Sequence, residues 1–324
     1  MVKESDPEII EVRSDERFDP APLEAYLRGR LPETDGPFAL AQFGGGHANL
    51  TYLVRFGDTE YVLRRPPLGP VAPSAHDMGR EHHVLSRLWQ AYPLAPRSFL
   101  LCDDKSIIGA DFHIMERRHG IAIRTRLPEG YDWTPELNER LGHMILDVLA
   151  SLHMVDPASV GLGDLGHPDG FIARQLAGWA KRWEAAKDDA APEGMRGLIG
   201  WLEARLPESR AASLLHNDYK LDNMLVGADD PARAVAVLDW DMCTRGDPLS
   251  DLGYLLTFWS EAGDDPRWIE SAAMPTRAPG FPTRDQLVDR YAVKTGFDCS
   301  HASWYHVFGV FKIAVILQLS LIHI

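Results

Sequence analysis

The stretch HNDYKLDNMLV, residues 216–226, and the stretch AVAVLDWD, residues 234–241, together decide how the chain is read. Met224 to Val226 and Ala234 to Leu238 are short apolar runs bounded by polar residues, the pattern of buried strands in a β-hairpin. A hairpin there sets Asp218, Asn223 and Asp239 at the mouth of one cleft, a layout suited to a metal and a nucleotide. In the spacing H-x-D-x-x-x-x-N, the Asp218 carboxylate can orient a hydroxyl and take its proton. Lys220 can neutralise a transferring phosphoryl group, and the Asn223 carbonyl can bind Mg²⁺, a hard cation that prefers oxygen. Asp239 follows the second apolar run as a second metal ligand. An Asx-rich surface turn accounts for any one of these residues taken singly. It does not account for all of them in this order.

Working outward, the 324 residues are 45% hydrophobic and 25% charged, ordinary for a globular protein and enough for two lobes, each with its own core. A formal net charge of −14 argues against binding a nucleic-acid backbone. The three cysteines, Cys102, Cys243 and Cys299, show no CxxC spacing, so neither a disulfide framework nor a zinc site is expected, and the cytoplasm is the expected compartment. The N-terminal segment is charged and lacks the apolar run of a secretory signal. Trp304 to Ile324 is strongly apolar but carries His306, Lys312 and Gln318, which favours a buried core helix over a membrane span.

Residues 1–37 are charged and dotted with proline, with a helical stretch from Pro22 to Leu31, and read as a capping extension. From Phe38 the pattern turns to strands: PFALAQF, LTYLVRF and EYVLRR, the last two joined by a tight Gly-Asp turn. Gly44, Gly45 and Gly46 lie between the first two strands, either as a flexible hairpin tip or as a flap whose amides approach phosphates with no Cβ in the way. A helix through SAHDMGREHHVLSRLW, with Ser74 as its cap, and strands at SFLLCD and FHIMERR complete a β-rich lobe over 38–117. Residues 118–324 read as a helical lobe, with helices at Pro135 to Val155, Phe171 to Lys187, Met195 to Leu206, Asp251 to Ser260, Thr283 to Thr295 and Ser303 onward. Trp179 and Trp183, at helical spacing, read as packing.

HNDYKLDN and VLDWD make the chain resemble the aminoglycoside phosphotransferase (APH) superfamily, small-molecule relatives of protein kinases. GGGHANLTYLV, YVLRRPP, SAHDMGRE, GLGDLGHPDGF and LDWDMCTRGDPLSDLGYL are most similar to the branch that includes kinase-like domains fused to some acyl-CoA dehydrogenases. The resemblance runs from about Phe38 to Lys312. It implies an α+β, protein-kinase-like bilobal fold with a β-rich N-lobe and a mostly helical C-lobe. It implies ATP and Mg²⁺ as nucleotide and metal, Asp218 as catalytic base, Lys220 at the γ-phosphate, and Asn223 and Asp239 as metal ligands. His216 and Asp251 are implied as scaffold, Gly44 to Gly46 as phosphate flap, Met115 at the adenine pocket, and the backbone of Glu116 to Arg118 at adenine. For Asp241 and Asp247 the role is left open between the site and a turn or cap.

The chain departs from the family at Arg64, which stands where relatives carry the nucleotide lysine, with Glu81 as its expected partner; arginine bridges carboxylate and phosphate but is bulkier. Asn217 stands where many relatives have glycine. The final LSLIHI, residues 319–324, stops inside an apolar helix and reads as translated adapter, so a shortened C-terminus is expected.

The resemblance implies phosphorylation of a hydroxyl on a small molecule, a hydroxyacyl-CoA or hydroxy acid being preferred, with Arg117, Arg118, Arg124 and Arg126 available to its anionic groups. A second reading is an antibiotic phosphotransferase, which predicts an acidic acceptor cleft in the helical lobe and leaves open whether Asp164, Asp169, Asp188 and Asp189 line it. A third, kept open by Arg64, is a nucleotide-binding pseudokinase module. Neither nucleic acid nor membrane is expected as a partner.

Overall fold

The computed structural model describes residues 9–44, 49–68, 77–187, 192–209, 212–271 and 274–323. Two compact units divide the chain, Met1–Arg118 and His119–Ile324.

The first unit runs β1 (Ile9–Ile10), α1 (Pro20–Leu27), β2 (Phe38–Phe43), β3 (Leu50–Phe56), β4 (Thr59–Arg65), α2 (Met78–Leu88), β5 (Ser98–Cys102) and β6 (Phe112–Glu116). Its strands form one six-stranded sheet in the order β1-β2-β3-β4-β6-β5, antiparallel at every pairing. The tight turn between β3 and β4 uses Gly57 at φ +60°, a conformation that costs glycine little, and it pairs Phe56 with Thr59. That register carries through to β6, where Arg64 lies opposite His113.

The N-terminal segment is more than a cap. Leu23, Leu27 and Leu31 join Tyr52, Val54, Phe56, Leu63, Phe112 and Ile114 in one buried cluster, and Ile9–Ile10 adds the edge strand. Helix α1 starts two residues earlier than its apolar face suggests, because Asp19 accepts the Ala21 amide at 3.0 Å with Pro20 in the first turn. It stops at Leu27, and Gly29 takes φ +73° directly after it. At α2 the observed cap is Asp77, which accepts the Arg80 amide at 3.0 Å; Ser74 lies outside the described residues.

The second unit contains β7 (Ile121–Ala122), α3 (Pro135–His153), α4 (Phe171–Ala186), α5 (Gly194–Ala204), β8 (Ser213–Leu215), β9 (Met224–Val226), β10 (Ala234–Val237) and β11 (Thr244–Gly246). There follow α6 (Leu249–Phe258), α7 (Pro266–Ser271), α8 (Arg284–Thr295) and α9 (Ala302–His323). The hairpin read from the two apolar runs is present: β9 and β10 pair antiparallel, with Val237 opposite Met224. Two features escape the sequence pattern: β7 adds to the hairpin as a third strand, and β8 pairs with β11. Strands of two or three residues are too short to display a period.

Helix α3 is capped by Thr134 with Pro135 in its first turn, and α8 opens with a Thr283/Gln286 capping box. The α3 face expected to be apolar is buried through Leu141, Ile145, Leu149 and Leu152. Helix α9 is long and apolar enough to cross a membrane by length and composition. Here Tyr305, Phe308, Phe311 and Val315 are buried on it, and it packs on α6 and α4. The α6–α9 contact is backbone-close: a Cβ on Gly253 would lie 2.4 Å from the Tyr305 backbone, and one on Gly309 would lie 2.9 Å from the Gly253 carbonyl oxygen.

Candidate active site

The second unit gathers Asp218, Lys220, Asn223 and Asp239 through a scaffold that reaches back to α6. Asp251, in the first turn of α6, accepts the His216 amide at 2.6 Å on Oδ2 and the Asn217 amide at 2.9 Å on Oδ1. His153 at the end of α3 lies 3.3 Å from the same Oδ2 and contacts the Tyr291 hydroxyl through Nδ1 at 2.5 Å. Burial works to raise the Asp251 pKa, but the His153 hydrogen bond and the charge and amide of neighbouring groups outweigh it and hold the carboxyl below its ordinary range. His216 is fully buried. Its Nε2–H donates to Leu238 O at 2.8 Å, and its Nδ1 accepts the Asp218 amide at 3.3 Å. The ring thus ties the loop to the end of β10.

This frame explains two backbone positions. Asn217 sits at φ +65° and Asp239 at φ +67°, both in the left-handed region. Asn and Asp tolerate that region better than other residues with a Cβ, so asparagine can stand where many relatives have glycine. The Asn217 side chain also donates to Met242 O at 2.8 Å. Beside Asp239, the Leu238 amide donates to Asn223 O at 2.8 Å, which holds the two candidate metal ligands on adjoining segments.

Among the described residues, the hydrogen bonds and ion pair at the Asp218 carboxylate oxygens all come from donors. Tyr254 OH donates to Oδ1 at 2.8 Å, Asn223 Nδ2 donates to Oδ2 at 2.7 Å and to the backbone carbonyl at 2.9 Å, and Lys220 Nζ lies 3.2 Å from Oδ2. Lys220 is also 3.7 Å from Asp222 Oδ2. Burial pulls the lysine pKa down, yet the Asp218 and Asp222 charges prevail and leave it raised. Asp222 itself is raised, burial outweighing Lys220, and Tyr254 is raised by burial and then by the Asp218 charge. Asp247 is a local anchor: its Oδ1 accepts the Leu249 amide at 3.0 Å and its Oδ2 accepts Tyr305 OH at 2.7 Å.

The oxygen donors fit Mg²⁺. With Asn223 Nδ2 committed to Asp218, the amide is oriented and its Oδ1 is the atom left for a cation, while the Leu238–Asn223 backbone hydrogen bond brings the segment of Asp239 alongside. An all-oxygen set with few carboxylates is what Mg²⁺ uses when phosphate oxygens and water complete its shell.

The first unit holds a second polar chain. Arg64 Nη1 donates to Glu81 Oε1, with 8% of the arginine side chain and 0% of the glutamate exposed. His113 Nε2 lies 3.0 Å from Glu81 Oε2, His113 Nδ1 lies 3.1 Å from Ser98 Oγ, and Ser98 Oγ lies 2.9 Å from His82 Nδ1. Arg64 and His113 thus converge on Glu81, and the Ser98 hydroxyl, which also reaches Ile114 O as a donor at 3.2 Å, joins His113 to His82. The sequence points to Glu81 as the partner of Arg64 but gives no sign of His113, Ser98 or His82, because these meet only when strands pair.

Burial, and then the charge of His113, pushes His82 down from 6.5 to about 4. The unfolded chain therefore binds this proton first as the pH falls, and the native state loses stability between pH 6.5 and about 4. Urea midpoints measured across that range should show His82→Gln losing this part of the slope; an unchanged slope would place the acid sensitivity elsewhere.

The other expected nucleotide residues are distributed as follows. Gly44 O accepts Arg13 Nη2 at 3.0 Å, while Gly45 and Gly46 lie outside the described residues. Met115 is buried on β6. The Glu116 amide donates to Arg97 O at 2.8 Å, so it is already used. Arg118 pairs with Glu116 at 3.0 Å, and the Arg117 guanidinium lies over the Phe43 ring at 4.7 Å. Asp188 and Asp189 lie outside the described residues.

Comparison with known proteins follows the same outline. The family model described as "Phosphotransferase enzyme family" (APH) matches residues 39–282. Acyl-CoA dehydrogenase family member 10 of Mus musculus is 34% identical over 298 residues, covering 91% of this chain and 28% of that protein, so the chain spans under a third of that relative's length. The crystal structure of a putative aminoglycoside phosphotransferase from Ralstonia eutropha superposes with a TM-score of 0.79 at 31% identity, over 93% of this chain and 88% of that one. Aminoglycoside phosphotransferase APH(4)-Ia, in a ternary complex with ADP and hygromycin B, shares the fold alone: TM-score 0.59, 17% identity, 93% of this chain and 92% of that one. The expected kinase-like fold is therefore the observed one, and the chain belongs to the APH phosphotransferase family.

Proposed function

We propose that the chain transfers the γ-phosphoryl group of ATP to a hydroxyl of a small molecule, with a hydroxyacyl-CoA or hydroxy acid as the favoured acceptor. The observation that carries this reading is the set of donors at the Asp218 carboxylate. Tyr254, Asn223 and Lys220 all direct donors at the two carboxylate oxygens and fix their orientation, the geometry that suits a proton acceptor. The acceptor oxygen forms a bond to phosphorus as the bond from phosphorus to the ADP oxygen breaks, and the hydroxyl proton passes to Asp218. Lys220 balances charge on the phosphoryl oxygens. Asn223 and Asp239 would hold Mg²⁺, which would supply charge neutralisation. In the first unit, Arg64 takes the place of the nucleotide lysine, with Glu81 and His113 fixing its position.

The acceptor preference comes from the relatives whose acyl-CoA dehydrogenase name implies an acyl substrate; the ADP complex of APH(4)-Ia supports the nucleotide. The test is phosphoryl transfer from Mg-ATP across a panel of hydroxy acids, hydroxyacyl-CoA thioesters and aminoglycosides. Transfer to the acyl acceptors is expected. Binding of Mg-ATP without transfer to any of them would instead make the chain a nucleotide-binding module.

A further inference from the structure

Lys312 differs from Arg126, Lys181, Arg196 and Arg277 of the second unit in being half-buried where they are exposed. It projects from α9, half-buried, with its ammonium 4.8 Å from the Tyr254 ring centroid and 5.6 Å from that of Trp179. Arg182 lies over the same Trp179 ring at 4.8 Å. Among the described residues, no carboxylate lies in ion-pair range of Lys312, and its three N–H donors make no hydrogen bond. Lys220 shows the contrast, resting between Asp218 and Asp222.

Aromatic faces attract an ammonium but accept no hydrogen bonds of ordinary strength, so they leave its donors unspent. Burial lowers the Lys312 pKa, while Asp251 and Asp218 act to raise it. A half-buried ammonium held against ring faces keeps its donors open to water or to an acceptor that arrives from outside. Its position says which one: a single tyrosine separates Lys312 from the carboxylate that accepts the hydroxyl proton, since Tyr254 OH is the group bonded to Asp218 Oδ1 at 2.8 Å.

We propose that Lys312 binds the acyl oxygen of the acceptor, a carboxylate or thioester oxygen near its hydroxyl, and so selects acyl-bearing alcohols over plain ones. This rests on the phosphotransfer reading above. Trp179 and Tyr254 form the apolar wall along which the chain between hydroxyl and acyl group lies. The residue is a specificity determinant and takes no part in proton or phosphoryl movement.

The test compares three acceptors of matched chain length: a hydroxy acid, its CoA thioester, and the diol with no acyl group. Lys312→Met is expected to raise KM for acyl-bearing acceptors about tenfold or more, the scale of a hydrogen bond to a charged group. KM for ATP and kcat/KM for the diol should stay within about twofold, and Lys312→Arg should restore much of the loss. A loss with the acid alone identifies the carboxylate as the group bound, and a loss with the thioester alone identifies its carbonyl. Equal losses with the diol, or none with any acceptor, would overturn the proposal. The unsubstituted protein decides independently of folding: a preference for the diol overturns this inference alone, whereas transfer to none of the three removes the phosphotransfer reading beneath it.

Discussion

Asp218→Asn is expected to lower kcat for phosphoryl transfer by roughly 10²–10⁴-fold, the usual contribution of a positioned general base, while nucleotide affinity stays close to that of the unsubstituted chain. Two effects compete in that substitution. The amide removes the proton acceptor, and it also puts an NH₂ group where Asn223 and Lys220 donate, at 2.7 and 3.2 Å from Oδ2. Tyr254→Phe separates them. It deletes only the 2.8 Å hydrogen bond to Oδ1 and leaves the acceptor in place, so its effect on kcat should stay near tenfold or below, as for one hydrogen bond of about 1 kcal/mol. Single-turnover rates with saturating Mg-ATP, together with melting curves for both variants, make the comparison. Asp218→Asn activity within a few-fold of normal would sink its assignment as the base.

Glu81→Ala is expected to be the most damaging single change to stability, at roughly 3–5 kcal/mol, the cost of breaking a buried ion pair from one side. The glutamate is completely buried, and it accepts both Arg64 and His113. Its loss strands a guanidinium and an imidazole N–H at once. Replacing both partners with apolar residues, as in Arg64→Met with Glu81→Leu, removes the stranded charge and should recover most of the stability. Any nucleotide binding that depends on Arg64 would not return. Urea unfolding followed by tryptophan fluorescence measures the difference, and a loss below about 1 kcal/mol for Glu81→Ala would mean that solvent reaches the pair.

The parts of the molecule legible in the sequence are those with enough residues to show a period or a spacing. Helix α3 spans several turns, so its apolar face is visible, and Thr134 and Pro135 mark its start. The hairpin of β9 and β10 announces itself by two apolar runs with polar ends. The loop from His216 to Asn223 is legible by spacing, because its residues serve one small volume and are close in the chain. What stays hidden is whatever forms only after distant segments meet. His113 is one polar residue in an apolar strand, indistinguishable in the sequence from a surface position until β4 pairs with β6. Tyr254 and Lys312 sit in helices whose apolar character masks them, although an unbalanced lysine in the strongly apolar α9 was the available signal. The N-terminal segment misleads for a related reason: its charges dominate the composition, while the few leucines that join the core of the first unit are spaced across α1 and the turn after it.

Helix α6 carries Asp251 at one end and lies backbone-close against α9 at Gly253 and Gly309. A methyl group at either glycine would push the helices apart and shift the carboxylate that positions the amides of His216 and Asn217. Selection acting on turnover alone would therefore hold these two glycines as firmly as the aspartates of the loop, and a survey of tolerated substitutions would mark as indispensable two residues with no side chain to offer the reaction.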